Sequence, residues 1–186
     1  MTTATSSNLS QLAGDYTLDP VRTRLGFVAR LARVAEVRGD FHAFVGLAHI
    51  DEDPSRSWVK LTMKVDSLDT GSDERDEQLR TNDFFDIAHH PTITFESTRV
   101  RQVDDLTIEV VGDLTIKGIT REVAIPFDLL GASTDTYGLE RLRFDGSVVV
   151  NRKDWCLVWS PALEIGTALL GDDVRLELEV SAVRTM

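Results

Sequence analysis

The chain has 186 residues, of which 42% are hydrophobic and 27% are charged, and its formal net charge is -11. These proportions are ordinary for one folded domain and argue against a disordered chain. Because the average surface repels phosphate groups and anionic lipid head groups, we exclude nucleic acid as a partner. No stretch approaches the roughly 20 apolar residues of a transmembrane helix, so we predict no transmembrane segment.

The amino-terminal residues 1–14 read MTTATSSNLSQLAG. They are small and polar, and they carry too little apolar surface to offset the entropy of ordering, so they predict a flexible tail ahead of a domain over residues 15–184. They show neither the basic start nor the long apolar run of a signal peptide, which makes a cytoplasmic location the default expectation. The single cysteine, Cys156, has no partner for an intramolecular disulfide.

From Asp15 onward, apolar and polar residues alternate with a period of two, which is typical of half-buried β-strands. About eight segments carry this pattern, among them Leu25–Leu31, Val59–Val65, Ile93–Phe95, Leu106–Ile116, Val123–Phe127, Leu142–Val150 and Val174–Val180. Turn residues between them are predicted at Asp51–Pro54, Gly131–Ser133 and Gly171–Asp173. Most connections are too short for crossover helices, so the strands are predicted to be antiparallel.

One segment departs from this period. Ser72–Asp86 begins with a capping serine, continues with acids in the first turn and then good helix formers, and so predicts a short helix followed by an aromatic-bearing loop. Many strands with one short helix predict an all-β protein. The fold that removes exposed strand edges is a closed antiparallel β-barrel of about eight strands with a short helix and a lid loop. An open sandwich is the alternative.

Templates for catalysis and cofactor binding fail on this chain. It has no G-x-S-x-G elbow, no H-E-x-x-H, no paired C-x-x-C and no dinucleotide fingerprint. Gly166–Gly171 imitates the glycine spacing of a phosphate loop, but Asp172 and Asp173 follow and would repel a phosphate. The four histidines and the acidic run from Asp66 to Glu77 lack the spacing of zinc or calcium sites. We therefore predict no catalytic residue, no metal and no cofactor, and we expect that the chain is not an enzyme.

Successive blocks of the chain resemble signatures of the YceI family, in the order in which that family carries them. The blocks are Tyr16–Pro20, Gly39–Phe41, Arg75–Asp86, Pro91–Phe95, Gly112–Thr120 and Asn151–Asp154. The resemblance covers nearly all of residues 15–183, and the R-D-x-x-L-R-x-x-D-F-F-D block is too specific for chance.

The resemblance implies an elongated, lipocalin-like barrel whose apolar cavity accepts polyprenyl chains, quinone-like molecules or fatty amides. It implies that the chain binds an apolar lipid rather than catalysing a reaction. It also implies structural roles for polar residues: Arg75 and Asp76 can anchor the helix to the barrel, and Gly118 sets a tight strand end.

The chain departs from the family pattern at three places. The family's usual His-Ser is replaced by Arg22–Thr23, and a second usual histidine is replaced by Leu31, so any ligand contact made by those imidazoles is lost. The family's aromatic-Gly pair is Trp155–Cys156 here, and we expect the glycine-only backbone angle to be lost with it. Cys156 is either shielded by a bound lipid near the mouth or a small buried core residue.

The predicted ligand-binding residues are apolar. Those expected to line the cavity are Phe27, Leu31, Phe41, Met63, Val65, Phe95, Leu114, Phe127 and Phe144, and those expected at a partly wet lid and mouth are Phe84, Phe85, Trp155 and Trp159. An eight-stranded interior is either filled by side chains or just wide enough for one small ligand, and the pattern alone does not decide which.

Three functions remain open at this point. The first is sequestration or transport of an isoprenoid or polyprenyl-like lipid, or of a quinone-like molecule, in the barrel cavity. The second is an accessory enzyme in isoprenoid or quinone metabolism. The third is a filled barrel that acts as a protein-interaction module. Whether the chain forms a homodimer is also open.

Overall fold

The computed structural model describes residues 9–31, 35–158 and 170–185, in which an 11-stranded sheet dominates. The strands are β1 Gly14–Leu18, β2 Arg24–Leu31, β3 Ala35–Phe41, β4 Phe44–Ile50, β5 Trp58–Lys64, β6 Leu68–Asp69, β7 Thr92–Gln102, β8 Thr107–Ile116, β9 Ile119–Thr134, β10 Glu140–Asn151 and β11 Leu170–Arg184. The α-helix of the described residues, α1, is Asp73–Arg80. Short 3-10 turns are Leu9–Leu12, Pro54–Arg56, Val65–Ser67 and Arg152–Trp155.

The sheet closes on itself because β1 pairs with strands on both of its sides. It pairs with β4 through Gly14–Thr17 and with β11 through Tyr16–Leu18, which lie opposite Ala182–Arg184. The resulting ring runs β1, β4, β5, β7, β8, β9, β10, β11 and back to β1, with antiparallel neighbours throughout. The predicted all-β, closed antiparallel barrel is therefore confirmed.

The extra strands arise because the first barrel position is split in two. β1 pairs with the carboxyl-terminal end of β11, and β2 pairs with its amino-terminal half. Between them, Pro20 offers no backbone donor and the Asp19 carboxylate accepts a hydrogen bond from Val21 N at 2.9 Å, which favours a turn. β3 then pairs with β2, and the two-residue β6 pairs with β3.

The helix α1 begins where its capping signal predicts. Ser72 is the N-cap, and its hydroxyl accepts a hydrogen bond from Arg75 N at 3.4 Å, with acids filling the first turn. The helix and the following loop bury Leu79, Phe84 and Phe85 in the main core. The predicted short helix with an aromatic-bearing loop is confirmed.

Thr70, just after β6, ties this helix to the barrel. Asp76 is only 4% exposed, and its carboxylate accepts hydrogen bonds from Thr70 N at 3.0 Å and from Thr70 Oγ1 at 2.5 Å. Arg75 donates from Nε to Thr70 Oγ1 at 2.8 Å and from Nη2 to Thr70 O at 2.6 Å. The anchoring role expected of Arg75 and Asp76 is thus present.

Two predicted turns are wrong. Gly131–Ser133 lies inside β9 and Gly171–Asp173 lies inside β11. Each glycine sits beside a break in strand register, between Arg143 and Phe144 for the first and between Leu170 and Val174 for the second. Glycine in a strand marks such bulges as readily as it marks turns.

The predicted flexible tail is wrong for residues 9–12. These residues form a 3-10 turn in which Leu9 and Leu12 are 4% and 3% exposed. They pack with Tyr16 and Leu142, and the Tyr16 hydroxyl donates a hydrogen bond to Leu12 O at 2.7 Å. Two leucines three positions apart supply the apolar surface that the rest of the segment lacks. Residues 1–8 lie outside the described residues.

Asp76→Ala removes the acceptor of the buried Thr70 hydrogen bonds. We expect it to lower the free energy of unfolding by about 2–4 kcal/mol, because buried donors are left unsatisfied. Glu77→Ala is the matched control on the exposed side of the same helix, and it should change stability by about 0.5 kcal/mol or less. Urea unfolding of both variants measures this, and equal losses would contradict the anchoring role.

The stability of the protein should fall in strong alkali because of Tyr16. Burial raises the pKa of Tyr16 to about 12, and the Glu140 carboxylate adds to the rise while Arg184 opposes it. In the unfolded chain the phenol titrates near pH 10. The stability that Tyr16 gains from holding its proton more tightly in the folded state is therefore complete below about pH 10 and is lost as the pH rises toward 12. Tyr16→Phe should unfold with a weaker pH dependence across this window. The free energy of unfolding, measured by urea unfolding at several pH values, tests this. An equal dependence on pH in the two proteins would contradict the role of Tyr16.

Candidate ligand-binding cavity

The interior of the barrel contains two adjoining cavities, with volumes of about 150 Å³ and about 160 Å³. Inward-facing side chains of the strands border both, and the walls are almost entirely apolar. The residues shared by the two cavities are Leu25, Met63, Leu114, Leu176 and Leu178. We call this shared set the waist. The interior is therefore divided rather than filled.

The first cavity lies beside α1 and is walled by aromatic rings. Phe84 and Phe85 pack edge to face at 4.9 Å between ring centroids, and Phe85 meets Phe41 at 6.4 Å. Trp155 donates a hydrogen bond from its indole Nε1 to Leu114 O at 2.9 Å, which satisfies its polar atom and allows the ring to be 2% exposed.

The second cavity lies on the other side of the waist, and two of its three phenylalanines lie over glycines of neighbouring strands. A Cβ on Gly146 would sit 2.5 Å from the Phe127 ring, and one on Gly112 would sit 2.6 Å from the Phe95 ring. Both rings border this cavity. Because the glycines let the rings lie against the wall, the rings leave the space beside them open.

A polar rim borders the second cavity at one end. The Trp58 ring is 37% exposed and stacks on His49, with 6.2 Å between ring centroids. His49 Nδ1 lies 2.7 Å from Asp15 Oδ1, and its Nε2 lies 3.7 Å from Asp51 Oδ2. A backbone hydrogen bond from Asp53, followed by the charge of Arg56, lowers the pKa of Asp51. Arg56 also pairs with Asp51, at 2.9 Å, so this end of the interior carries charged groups of both signs.

The predicted ligand-binding residues collect around these cavities. Those that border the first, the second or both are Phe27, Leu31, Phe41, Met63, Phe84, Phe85, Phe95, Leu114, Phe127, Phe144 and Trp155. The prediction that Val65 lines the cavity is corrected. Val65 is 1% exposed and lies in the core, but it borders neither cavity, because β5 ends at Lys64 and its alternation of inward and outward side chains ends there. Trp159 lies outside the described residues.

The partly wet lid and mouth are also corrected. Phe84, Phe85 and Trp155 are 6%, 7% and 2% exposed, so they form a dry wall. The half-exposed ring beside a cavity is Trp58, at the other end. The alternation pattern placed Trp58 on the polar face of its strand, so it was not predicted as a ligand-binding residue. A tryptophan on that face at the first residue of a strand is the available signal for a rim position.

The family follows from comparison with known sequences. The model of the YceI-like domain family matches residues 16–182. The chain belongs to the YceI-like family. A UPF0312 protein of Pseudomonas paraeruginosa is 34% identical over 176 residues, which cover 93% of this chain and 88% of that one. A UPF0312 protein of Pectobacterium atrosepticum is 31% identical over 178 residues, which cover 94% and 89%.

Solved structures share the fold. Burkholderia cenocepacia BcnA superposes with a TM-score of 0.77 at 21% identity, covering 88% of this chain and 98% of that one. A polyisoprenoid binding domain from Saccharophagus degradans, implicated in plant cell wall breakdown, gives a TM-score of 0.74 at 15% identity, covering 91% and 98%. At these identities the likeness concerns the barrel itself.

The structure places Arg22 and Leu31, the two positions at which the resemblance implies a histidine. Leu31 borders the first cavity, so the replacement makes that wall apolar. Arg22 borders neither cavity and instead lines a separate cleft of about 420 Å³, together with Arg141 and Arg143. Among the described residues, no group of three or more His, Cys, Asp or Glu side chains could hold a metal. No helix of the described residues is long and apolar enough to cross a membrane.

Cys156 differs from both expectations about it. It is exposed and borders neither cavity, so the buried-core alternative is wrong. It also keeps the left-handed backbone angle, with φ 54° and ψ 28°, at the end of the Arg152–Trp155 turn. The expected loss of a glycine-type angle is therefore wrong as well. A residue with a Cβ is strained there by about 1–2 kcal/mol.

Cys156→Gly should stabilise the protein by about 0.5–1 kcal/mol, because the relieved strain exceeds the extra entropy of glycine in the unfolded chain. Cys156→Ala removes the same thiol but keeps the Cβ, and it should give no gain. Thermal and urea unfolding of the two variants measure the difference. A gain shared by both variants would assign the effect to the thiol.

Proposed function

We propose that this YceI-like protein binds an apolar, isoprenoid-type lipid inside its barrel and sequesters or transports it. The observation that carries the proposal is the pair of adjoining apolar cavities within a closed ring of strands. An interior that keeps empty space of this kind favours ligand binding over a filled barrel that serves as a protein-interaction module.

The energetics suit such a ligand. Each buried methylene contributes about 0.8 kcal/mol, so ten of them give about 8 kcal/mol before the costs of ordering are subtracted. Micromolar retention corresponds to about 8 kcal/mol, and a longer chain leaves room for the ordering costs. Binding of this strength needs no catalytic group, and we propose that the protein holds its ligand without transforming it.

The likeness to the Saccharophagus degradans polyisoprenoid binding domain supports a hydrocarbon ligand of the same class. A polyprenyl chain or the tail of a quinone-like molecule is narrow and flexible, which suits two adjoining cavities that share Met63 and Leu178. The cytoplasmic location stays a prediction.

Organic extraction of freshly purified protein, followed by mass spectrometry, tests the proposal. We expect an isoprenoid compound bound at up to about one molecule per chain, as an interior of this size holds one ligand. Native mass spectrometry of the same sample should show the matching mass increment. Protein that yields no such compound and takes up no added polyprenol would contradict the proposal.

Phe95→Trp should reduce lipid occupancy severalfold while the protein stays folded. Phe95 is 7% exposed and borders the second cavity, so a larger ring there occupies space that the ligand needs. Phe44→Trp is the matched control, because Phe44 lies in β4 and borders neither cavity. Extracted lipid per folded protein is the measurement. Equal occupancy in the two variants would remove Phe95 from the site.

A further inference from the structure

Strand β3 has an open edge. One of its sides pairs with β2 along Ala35–Phe41, in a register without a shift. On its other side β6 covers only Asp40 and Phe41, and no further strand of the described residues pairs with β3. The stretch Ala35–Arg38 therefore has one side free among the described strands. An open strand edge is a template on which another strand can pair.

The free side of β3 presents the backbone groups of Glu36 and Arg38. In an antiparallel pair, the N–H and C=O groups of successive residues point to alternate sides of the strand. On the β6 side, His42 N donates to Ser67 O at 3.3 Å and continues the register of β3 with β6. Counting back from His42 in steps of two reaches Arg38 and Glu36. Their N–H and C=O groups therefore point to the free side, whereas those of Val37 point to β2.

This edge lacks the devices that usually prevent strand addition. It has no proline, no bulge in its register with β2, and no charged residue at the inward positions, which are Ala35, Val37 and Gly39. The outward side chains of Glu36 and Arg38 are charged and are 41% and 52% exposed, but their charges are opposite. Such an edge repels only those strands that place like charges opposite each other.

The charges of Glu36 and Arg38 favour one register with a second copy of the same strand. Two antiparallel copies are related by a two-fold axis, so the axis can lie at any one residue of the free stretch. An axis at Val37 sets Glu36 of each copy opposite Arg38 of the other. An axis at Glu36 or at Arg38 sets two like charges opposite each other. The register centred on Val37 is therefore selected.

The register centred on Val37 also satisfies the free backbone groups. Glu36 of each copy exchanges both N–H···O bonds with Arg38 of the other, so the outward N–H and C=O groups of the two residues are all paired. The two Val37 residues then form the non-hydrogen-bonded pair between them. Because Val37 borders the first cavity, Val37 of the second copy extends the apolar wall of that cavity.

The side chain of Arg38 is available for such a pair. It contacts Glu36 of its own chain at 3.5 Å and Glu177 at 3.1 Å. Glu177 also pairs with Arg24 at 3.5 Å and with Arg175 at 3.0 Å. Arg38 can therefore turn to a carboxylate of another chain without leaving Glu177 unpaired.

We propose that a second copy of this chain pairs antiparallel with β3 about a two-fold axis at Val37, so that two barrels share one continuous sheet. The open backbone groups supply the attraction, and the reciprocal charges of Glu36 and Arg38 supply the register and the choice of partner. The inference does not depend on the identity of the ligand, so it stands or falls separately from the proposed function.

Sedimentation equilibrium of the full chain over a range of concentrations tests this inference. We expect a dimer with a Kd on the order of 0.1 mM, because a few strand pairs bury little surface. Glu36→Arg sets arginines opposite each other and Arg38→Glu sets glutamates opposite each other, so each variant alone should be monomeric. An equal mixture of the two variants should form the dimer again, because every cross-strand pair then joins opposite charges.

Glu96→Arg is the matched control. Glu96 lies opposite Lys60 in the wall of the barrel, where the two exposed side chains pair at 2.8 Å. This variant sets like charges opposite each other within strands that are already paired in one chain. It should leave the dimer unchanged.

A cysteine at the two-fold axis tests the register without changing a charge. The two Val37 Cα atoms should lie about 4.5 Å apart, which is within reach of a disulfide. Val37→Cys in a Cys156→Ala background should therefore give a disulfide-linked dimer under a mild oxidant, measured by electrophoresis without reductant. Ala35→Cys in the same background is the control, because Ala35 lies opposite Gly39 of the other copy and should not be linked.

Each outcome decides the proposal. A wild-type protein that stays monomeric about tenfold above the expected Kd overturns it. It is also overturned by a dimer that survives Glu36→Arg, by a mixture of the two charge variants that stays monomeric, or by equal loss of the dimer in Glu96→Arg. If a charge variant does not fold, cross-linking decides instead, and equal linking through Ala35→Cys and Val37→Cys overturns the proposal.

Discussion

Closure of the sheet by the pairing of β1 with β11 is the constraint on which the rest of the molecule depends. With eight strands in the ring, the radius is fixed at a value that admits either packed side chains or one small ligand. Gly112 and Gly146 then decide between these outcomes locally, because they let the rings of Phe95 and Phe127 lie against the wall. The cavities are thus a product of ring size and of where the chain omits a Cβ.

The position of helix α1 depends on the same closure of the sheet. The first barrel position is split, so β2, β3 and the two-residue β6 extend the sheet beyond the ring of eight. The apolar residues of α1 and the loop after it pack into the core beside this extension, and the Thr70 contacts fix their position. A short polar network at Thr70 therefore holds the part of the wall that carries Phe84 and Phe85.

Much of this was predictable from the sequence because its cause is local. Strand alternation has a period of two wherever one face is buried, and the Ser72 capping signal specifies a helix start over a few residues. The inward phenylalanines followed from the same alternation. The register shifts beside Gly131 and Gly171 were mistaken for turns because glycine is found at bulges as well as at turns. The burial of Leu9 was missed because it depends on Leu142, far away in the chain.

The rim at Trp58 and His49 could not be predicted from the sequence, for a different reason. Which strand ends border a cavity depends on how the connection between β4 and β5 folds over the barrel, and alternation within a strand says nothing about that. Arg75 shows the opposite limit. Its place in a family block predicted an anchoring role, but only the geometry shows that the anchor is Thr70, which accepts hydrogen bonds from Arg75 Nε and Nη2.

The seam between β1 and β11 also governs how the chain can reach its native state. The Thr185 backbone amide and hydroxyl donate to Asp15 O across 170 positions of sequence. Such a contact has a large loop-closure cost, and high contact order slows folding. During synthesis the ring cannot close until β11 has left the ribosome, so the apolar interior stays open to water, chaperones or lipid until then.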